Sequence, residues 1–276
     1  MDSCTVIAIT NQKGGVGKTT TTANLGIGLA RQGKRVLLID LDPQASLTLS
    51  LGFTNPDNLS PTVTDVMQDL MINGENTQRF EFLKNKEGVD VLPANIELCG
   101  VEVQLVNEMS RELILKSYVD EIRKDYDYIL IDCMPSLGML TFNALCCADK
   151  VIIPAQPEFL SAKGLEQLIK TIGLVKKRLN PEMKIDGILL TMVDSRTRFA
   201  REVSELIEGT YSKITRIYST VIPRSVRAAE TSAEGISIFL HDPHGKVAEA
   251  YDNLAKEVSG CAKEKLRSKN HSERIR

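Results

Sequence analysis

One segment of this 276-residue chain brings glycines, lysines and hydroxyls together at a spacing suited to phosphate. Thr10 to Thr20 reads T-N-Q-K-G-G-V-G-K-T-T. Glycines at 14, 15 and 17, with Val16 among them, let backbone N–H groups turn inward toward phosphate oxygens. Lys18 can then reach the β- and γ-phosphates, Thr19 offers a hydroxyl to Mg²⁺, and Thr20 stands in the first turn of the following helix, whose N-terminus adds partial positive charge. The general pattern G-x-x-x-x-G-K-[ST] asks for glycine at 12; this chain has Gln12, with Lys13 beside it. The alternative, a glycine-rich turn with an incidental lysine, is disfavoured because a strand precedes the segment and a helix follows it.

Carboxylates form the second group. Asp40 and Asp42 follow one apolar run and Asp132 ends another, at carboxyl ends of parallel strands, where open α/β sheets collect ligands. A carboxylate placed after four apolar residues is costly unless a cation sits beside it, and Mg²⁺ supplies one. For Asp40 a plain turn-capping role is an equal alternative.

The elements that must position these residues read as alternating strands and helices. Short apolar runs recur at Val6 to Ile9, Val36 to Ile39, Val89 to Leu92, Tyr128 to Ile131, Val151 to Ile153, Ile185 to Met192 and Ile217 to Ile222. Such runs fit strands buried on both faces. Amphipathic stretches lie among them: Thr20 to Arg31, Arg111 to Lys124, Leu165 to Leu179 and Arg201 to Glu208. The alternation predicts an α/β fold, a doubly wound, mostly parallel sheet with helices on both faces. Thr54 to Glu87 is polar, with one helical segment around Val63 to Met71, and reads as an excursion on the domain. Residues 1–260 are expected to form a single P-loop domain and 261–276 a basic, disordered tail.

Composition narrows the classes. The content, 42% hydrophobic and 25% charged, is globular, and no apolar run approaches the roughly 18 residues of a membrane span. The start, Met1-Asp2-Ser3-Cys4, lacks the basic region of a secretory signal, so a cytoplasmic protein is expected. Six cysteines carry no C-x-x-C, which favours reduced thiols over a disulfide or zinc framework. A net charge of -2 argues against coating nucleic acid by global charge. From Arg196 to Arg227, however, seven Lys/Arg against three Glu leave a local balance of +4. The aromatics are scattered and Trp is absent, so a stacking platform for single strands is not expected.

K-G-G-V-G-K-T at Lys13 to Thr19 resembles the deviant Walker A motif of the ParA/MinD family. D-L-D-P-Q at Asp40 to Gln44, I-L-I-D-C-M-P-S-L-G at Ile129 to Gly138 and I-P-R-S-V-R at Ile222 to Arg227 extend the likeness to about Val258. The resemblance implies a DNA-partitioning ATPase that binds ATP with Mg²⁺ and closes into an ATP-dependent homodimer. In it Lys13 would cross to the partner's nucleotide, Asp42 would orient the attacking water and touch the metal shell, and Asp132 would hold Mg²⁺ through water. Pro223, in the turn from Val221, would wall the adenine. Arg196 and Arg227 first, then Arg224 and Arg198, would contact non-specific double-stranded DNA, so that the ATP form gathers on the nucleoid. Hydrolysis would be stimulated by a ParB-like centromere-binding protein. Met134 stands where relatives usually have the first of two prolines, which bears on the stiffness of that loop.

Other classes stay open at this point. A MinD-like membrane regulator would need an amphipathic tail, and the tail here offers only Leu266 and Ile275 among charges, so stable membrane association is not expected. An iron-sulfur carrier would need poised cysteines, of which Cys133 is the candidate, whereas Cys146 and Cys147 read as core. A nucleotide switch that does not hydrolyse is the third.

Overall fold

The computed structural model describes residues 4–75, 80–194 and 196–260, and of 159–163 the backbone alone. The expected tail, 261–276, lies outside the described residues. Among them the strands are β1 (Thr5–Ile9), β2 (Val36–Leu41), β3 (Leu83–Lys84), β4 (Asp90–Leu92), β5 (Tyr128–Cys133), β6 (Lys150–Ala155) and β7 (Lys184–Leu190). They lie in one sheet in the order β3-β4-β2-β5-β1-β6-β7. Every pairing is parallel except that of β3 with β4.

The helices are α1 (Lys18–Ala30), α2 (Ser46–Ser50), α3 (Val63–Asn73), α4 (Leu98–Leu105), α5 (Ile114–Ile122), α6 (Met139–Cys147), α7 (Phe159–Arg178), α8 (Arg198–Tyr211), α9 (Val226–Glu234), α10 (Ile238–His241) and α11 (Lys246–Ser259). Because side chains alternate along a strand, each central strand feeds both faces. Val6 and Ala8, with Leu37, Ile39 and Ile129, meet α3 to α7 on one face; Ile7 and Ile9, with Leu38 and Leu130, meet α1, α10 and α11 on the other. Each large aliphatic side chain so buried contributes about 1.5–3 kcal/mol.

The polar stretch before Glu87 is tied into this frame. A reciprocal cap of Thr62 with Asp65 starts α3, and Val63, Val66 and Met67 enter the core. The expected strand at Ile217 to Ile222 does not form. Ile188 with Ile217 and Val193 with Pro223 make isolated bridges only. The amides of Tyr218 and Ile222 bond Ile188 O and Leu190 O of β7, both at 2.9 Å, but those of Ser219 and Thr220 between them donate to the Glu257 carboxylate on α11, at 3.1 and 3.2 Å, which interrupts the ladder. Among the described residues no helix is long and apolar enough to cross a membrane.

Candidate nucleotide site and basic surface

The central strand delivers the phosphate loop. After Ile9, the Asn11 amide donates to Pro154 O at 2.7 Å and its oxygen accepts the Lys13 N–H at 3.0 Å, which turns the chain out of the sheet. Gly15 (φ +71°) and Gly17 (φ +83°) take the left-handed conformation that glycine adopts without strain. Gly17 caps α1 with no side-chain hydrogen bond, so the first N–H groups of that helix are left to an anion. The loop is braced from two neighbouring strand ends. Thr191 Oγ1 donates to Val16 O at 2.8 Å, and the Gln156 amide donates to Gly15 O at 3.0 Å.

Lys18 is buried at the base of the loop, its ammonium donating to Lys13 O at 3.2 Å. Burial lowers its pKa, and Asp132 and then Asp42 oppose that shift. Asp132, the penultimate residue of β5, lies opposite Ile9 and is 1% exposed. It accepts Thr19 Oγ1 at 2.7 Å and Thr22 Oγ1 at 3.2 Å. Burial first, and Asp40 second, push its carboxyl up to about 8. A buried carboxylate beside a threonine hydroxyl at a helix start is a set of hard oxygen donors. The residues present therefore fit Mg²⁺, with Thr19 nearest and Asp132 behind it, and a cation there would offset the charge that burial disfavours.

Asp40 and Asp42 part company. Asp40 is fully buried and accepts Thr48 N at 2.9 Å, Thr48 Oγ1 at 2.8 Å and Asp42 N at 3.2 Å. Burial raises it to about 6. It anchors α2 and the turn, which is the structural alternative open to it in the sequence. Asp42, the first residue beyond β2, is half-buried and accepts Gln44 N at 2.9 Å. Cys133 is buried, and burial drives its thiol well above the ordinary range, so it packs. Cys146 and Cys147 are buried as well.

The basic surface adjoins this loop. Thr191, which holds Val16, leads into Val193, whose N–H donates to Ile222 O at 3.1 Å and whose carbonyl accepts Arg224 N at 3.1 Å. Arg196, Arg224 and Arg227 are thereby carried by joined segments, with the half-buried Pro223 against Val193. The Arg196 and Arg198 side chains are each 88% exposed and that of Arg227 62%. Arg216 does not belong with them. It bonds Asp186 at 3.0 Å and lies 4.2 Å over the Tyr218 ring, so the sequence count of +4 overstates the free charge.

Residues 4–185 match the family model described as an AAA domain. The chain is 46% identical to the sporulation initiation inhibitor protein Soj of Bacillus subtilis, over 92% of this chain and 98% of that one. It is 43% identical to the chromosome partitioning protein ParA of Myxococcus xanthus, over 92% and 87%. Among solved structures, that of a cobyrinic acid a,c-diamide synthase from Mycobacterium smegmatis with bound ATP analogue and magnesium is 38% identical with a TM-score of 0.79, over 92% of this chain and 93% of that one.

The chain belongs to the ParA/MinD family. It is a ParA-type ATPase that works on ATP with Mg²⁺.

In this ParA-type chain the structure adds residues that the sequence reading passes over. Thr22 gives Asp132 a second hydroxyl, and Gln156 and Thr191 hold the loop. Glu158 ion-pairs with Lys13, turning that lysine toward β6 of its own chain. The available signal was position: Gln156-Pro157-Glu158 follows β6 at the same carboxyl end of the sheet as the loop after β1. Met134 precedes Ser136 and Gly138, where a Cβ on Gly138 would fall 2.0 Å from Glu102 Oε1, so α4 packs closely on this segment.

Proposed function

We propose that this ParA-type ATPase partitions DNA by closing as a dimer around ATP, holding duplex DNA without sequence preference, and letting go on hydrolysis. One observation carries the reading. Thr191 bonds Val16 of the phosphate loop, and Val193, two residues further along the same chain segment, bonds Ile222 and Arg224, so nucleotide and arginines act on one joined segment. The relatives named for chromosome partitioning support the cellular role.

In this reading the N–H groups of Gly14 to Thr20 cradle the phosphates and Lys18 offsets the charge on the β- and γ-phosphates. Thr19, Asp132 and Asp42 would hold Mg²⁺, which would supply charge neutralisation at the phosphoryl oxygens. Asp42 orients the attacking water. Lys13 leaves Glu158 and reaches the partner's nucleotide, acting like an arginine finger in trans. Pro223 borders the adenine, while Arg196, Arg227, Arg224 and Arg198 take DNA phosphates, a contact that is salt-sensitive and blind to sequence. A ParB-like centromere-binding protein would stimulate hydrolysis, and the ATP form would gather on the nucleoid.

The test is a duplex DNA shift with ATP, with ADP and without nucleotide. Binding with ATP alone is expected, and Arg196→Ala and Arg227→Ala should each weaken it and flatten its salt slope by roughly one unit per lost contact. Equal binding in ADP and ATP, or arginine variants that bind like wild type, would defeat the reading.

A further inference from the structure

Three of the four arginines assigned to DNA already hold a carboxylate of this chain. Arg196 grips Asp194 with two N–H donors, at 2.9 and 3.0 Å. Arg198 meets Glu202 at 2.6 Å, and Arg227 stands 3.8 Å from Asp242. These are exposed pairs, of a kind that adds little to stability. Asp194 is the most engaged of the carboxylates. Arg196 first, and Arg224 as well, hold its carboxyl below the usual range, since the backbone bond from Arg224 to Val193 brings both arginines to one loop.

A guanidinium fork takes a carboxylate and a phosphate by the same paired N–H geometry. An arginine engaged with one has fewer donors for the other. We propose that Asp194 and Asp242 are built-in competitors of DNA phosphate, engaging Arg196 and Arg227 so that a single subunit grips duplex DNA weakly. The inference rests on the DNA-binding reading and deepens it. A carrier that must release DNA once its dimer parts needs a weak grip per subunit, and avidity from two surfaces then supplies the difference. The carboxylates set that weakness without removing an arginine.

Asparagine at 194 keeps one oxygen for the Arg196 backbone N–H, at 3.2 Å, and removes the charge together with the second oxygen, which accepts Arg196 Nη2 at 3.0 Å. The experiment titrates a fluorescent duplex, in ATP, with wild type, Asp194→Asn, Asp242→Asn and Asp120→Asn. Asp120 lies on α5, paired with Lys116 and Arg123 and with none of the four arginines assigned to DNA, and its variant changes net charge equally. Asp194→Asn is expected to bind roughly two- to fivefold more tightly than Asp120→Asn. Asp242→Asn should gain less, its pair being looser. In an Arg196→Ala background the gain from Asp194→Asn should vanish, since the coupling runs through that side chain.

A gain no larger than that of Asp120→Asn overturns the proposal, as does a gain that survives without Arg196. Weaker binding by Asp194→Asn overturns it too, because the carboxylate would then orient Arg196 toward DNA. Wild type that hydrolyses ATP and yet binds no DNA defeats the DNA-binding reading itself, a result distinct from the others.

Discussion

Asp40 illustrates how far a residue's type and place can mislead about its job. It ends the same kind of apolar run as Asp132, yet its oxygens are consumed by Thr48 and the Asp42 amide, and Thr48 Oγ1 also accepts the Ala94 N–H at 3.2 Å. Thr48→Val removes a donor from a fully buried carboxylate and an acceptor from a buried amide. It is expected to lower stability by about 1–3 kcal/mol, read by denaturant unfolding, with ATP affinity falling less than stability because the phosphate loop is untouched. A midpoint equal to wild type would show that water or a shifted side chain replaces Thr48. The phosphate loop was legible in the sequence because its chemistry is local: seven consecutive residues carry it. Glu158 and Gln156 were not, since their partners Lys13 and Gly15 stand some 140 positions away and only the parallel pairing of β1 with β6 brings them together.

At the scale of elements, the buried strands were readable from apolar runs, and the failures share a cause in tertiary competition. Ile217 to Ile222 has strand composition, but Glu257 takes the amides of Ser219 and Thr220 in its middle. α11 was missed although Tyr251, Leu254, Ala255 and Val258 bury one face, because Lys246 to Ser259 also holds five charged residues and no long apolar run. α9 and α10 were also unread, and they are joined by His241, whose Nδ1 meets Glu234 at 2.9 Å and whose Nε2 meets Glu230 at 3.0 Å. Glu230 first and Glu234 second raise the His241 pKa above 6.5. A raised histidine pKa contributes stability that is fully present below the unfolded value and is lost as pH rises through the folded one. The melting temperature of wild type should therefore fall from about pH 6 to about pH 8, and His241→Gln should flatten that fall. Superimposable pH profiles would mean that the two glutamates do not hold a charged imidazole.

The molecule as a whole must explain why a lysine with a partner in its own chain is assigned to another subunit's chemistry. Lys13 ion-pairs with Glu158, yet both side chains remain partly exposed, at 35% and 55%, so the pair is one that a phosphate can displace. A triphosphate presented by a facing subunit offers more negative charge than one carboxylate, and the transferring phosphoryl group needs a cation during the reaction. If the lysine acts across the dimer, two inactive variants should complement each other. Lys13→Ala keeps Asp42 and lacks the donated ammonium; Asp42→Ala keeps the ammonium and cannot orient water. Their heterodimer holds one site with Asp42 from the first chain and Lys13 from the second, and one site with neither. Random pairing at equal concentrations makes half of the dimers mixed, each with one working site of two, so the mixture should recover about a quarter of the wild-type rate per subunit. A lysine that serves its own nucleotide leaves every site short of one group at every ratio. Steady-state phosphate release across a titration of one variant into the other decides between them: a maximum near equal amounts supports the trans assignment, and a flat baseline overturns it.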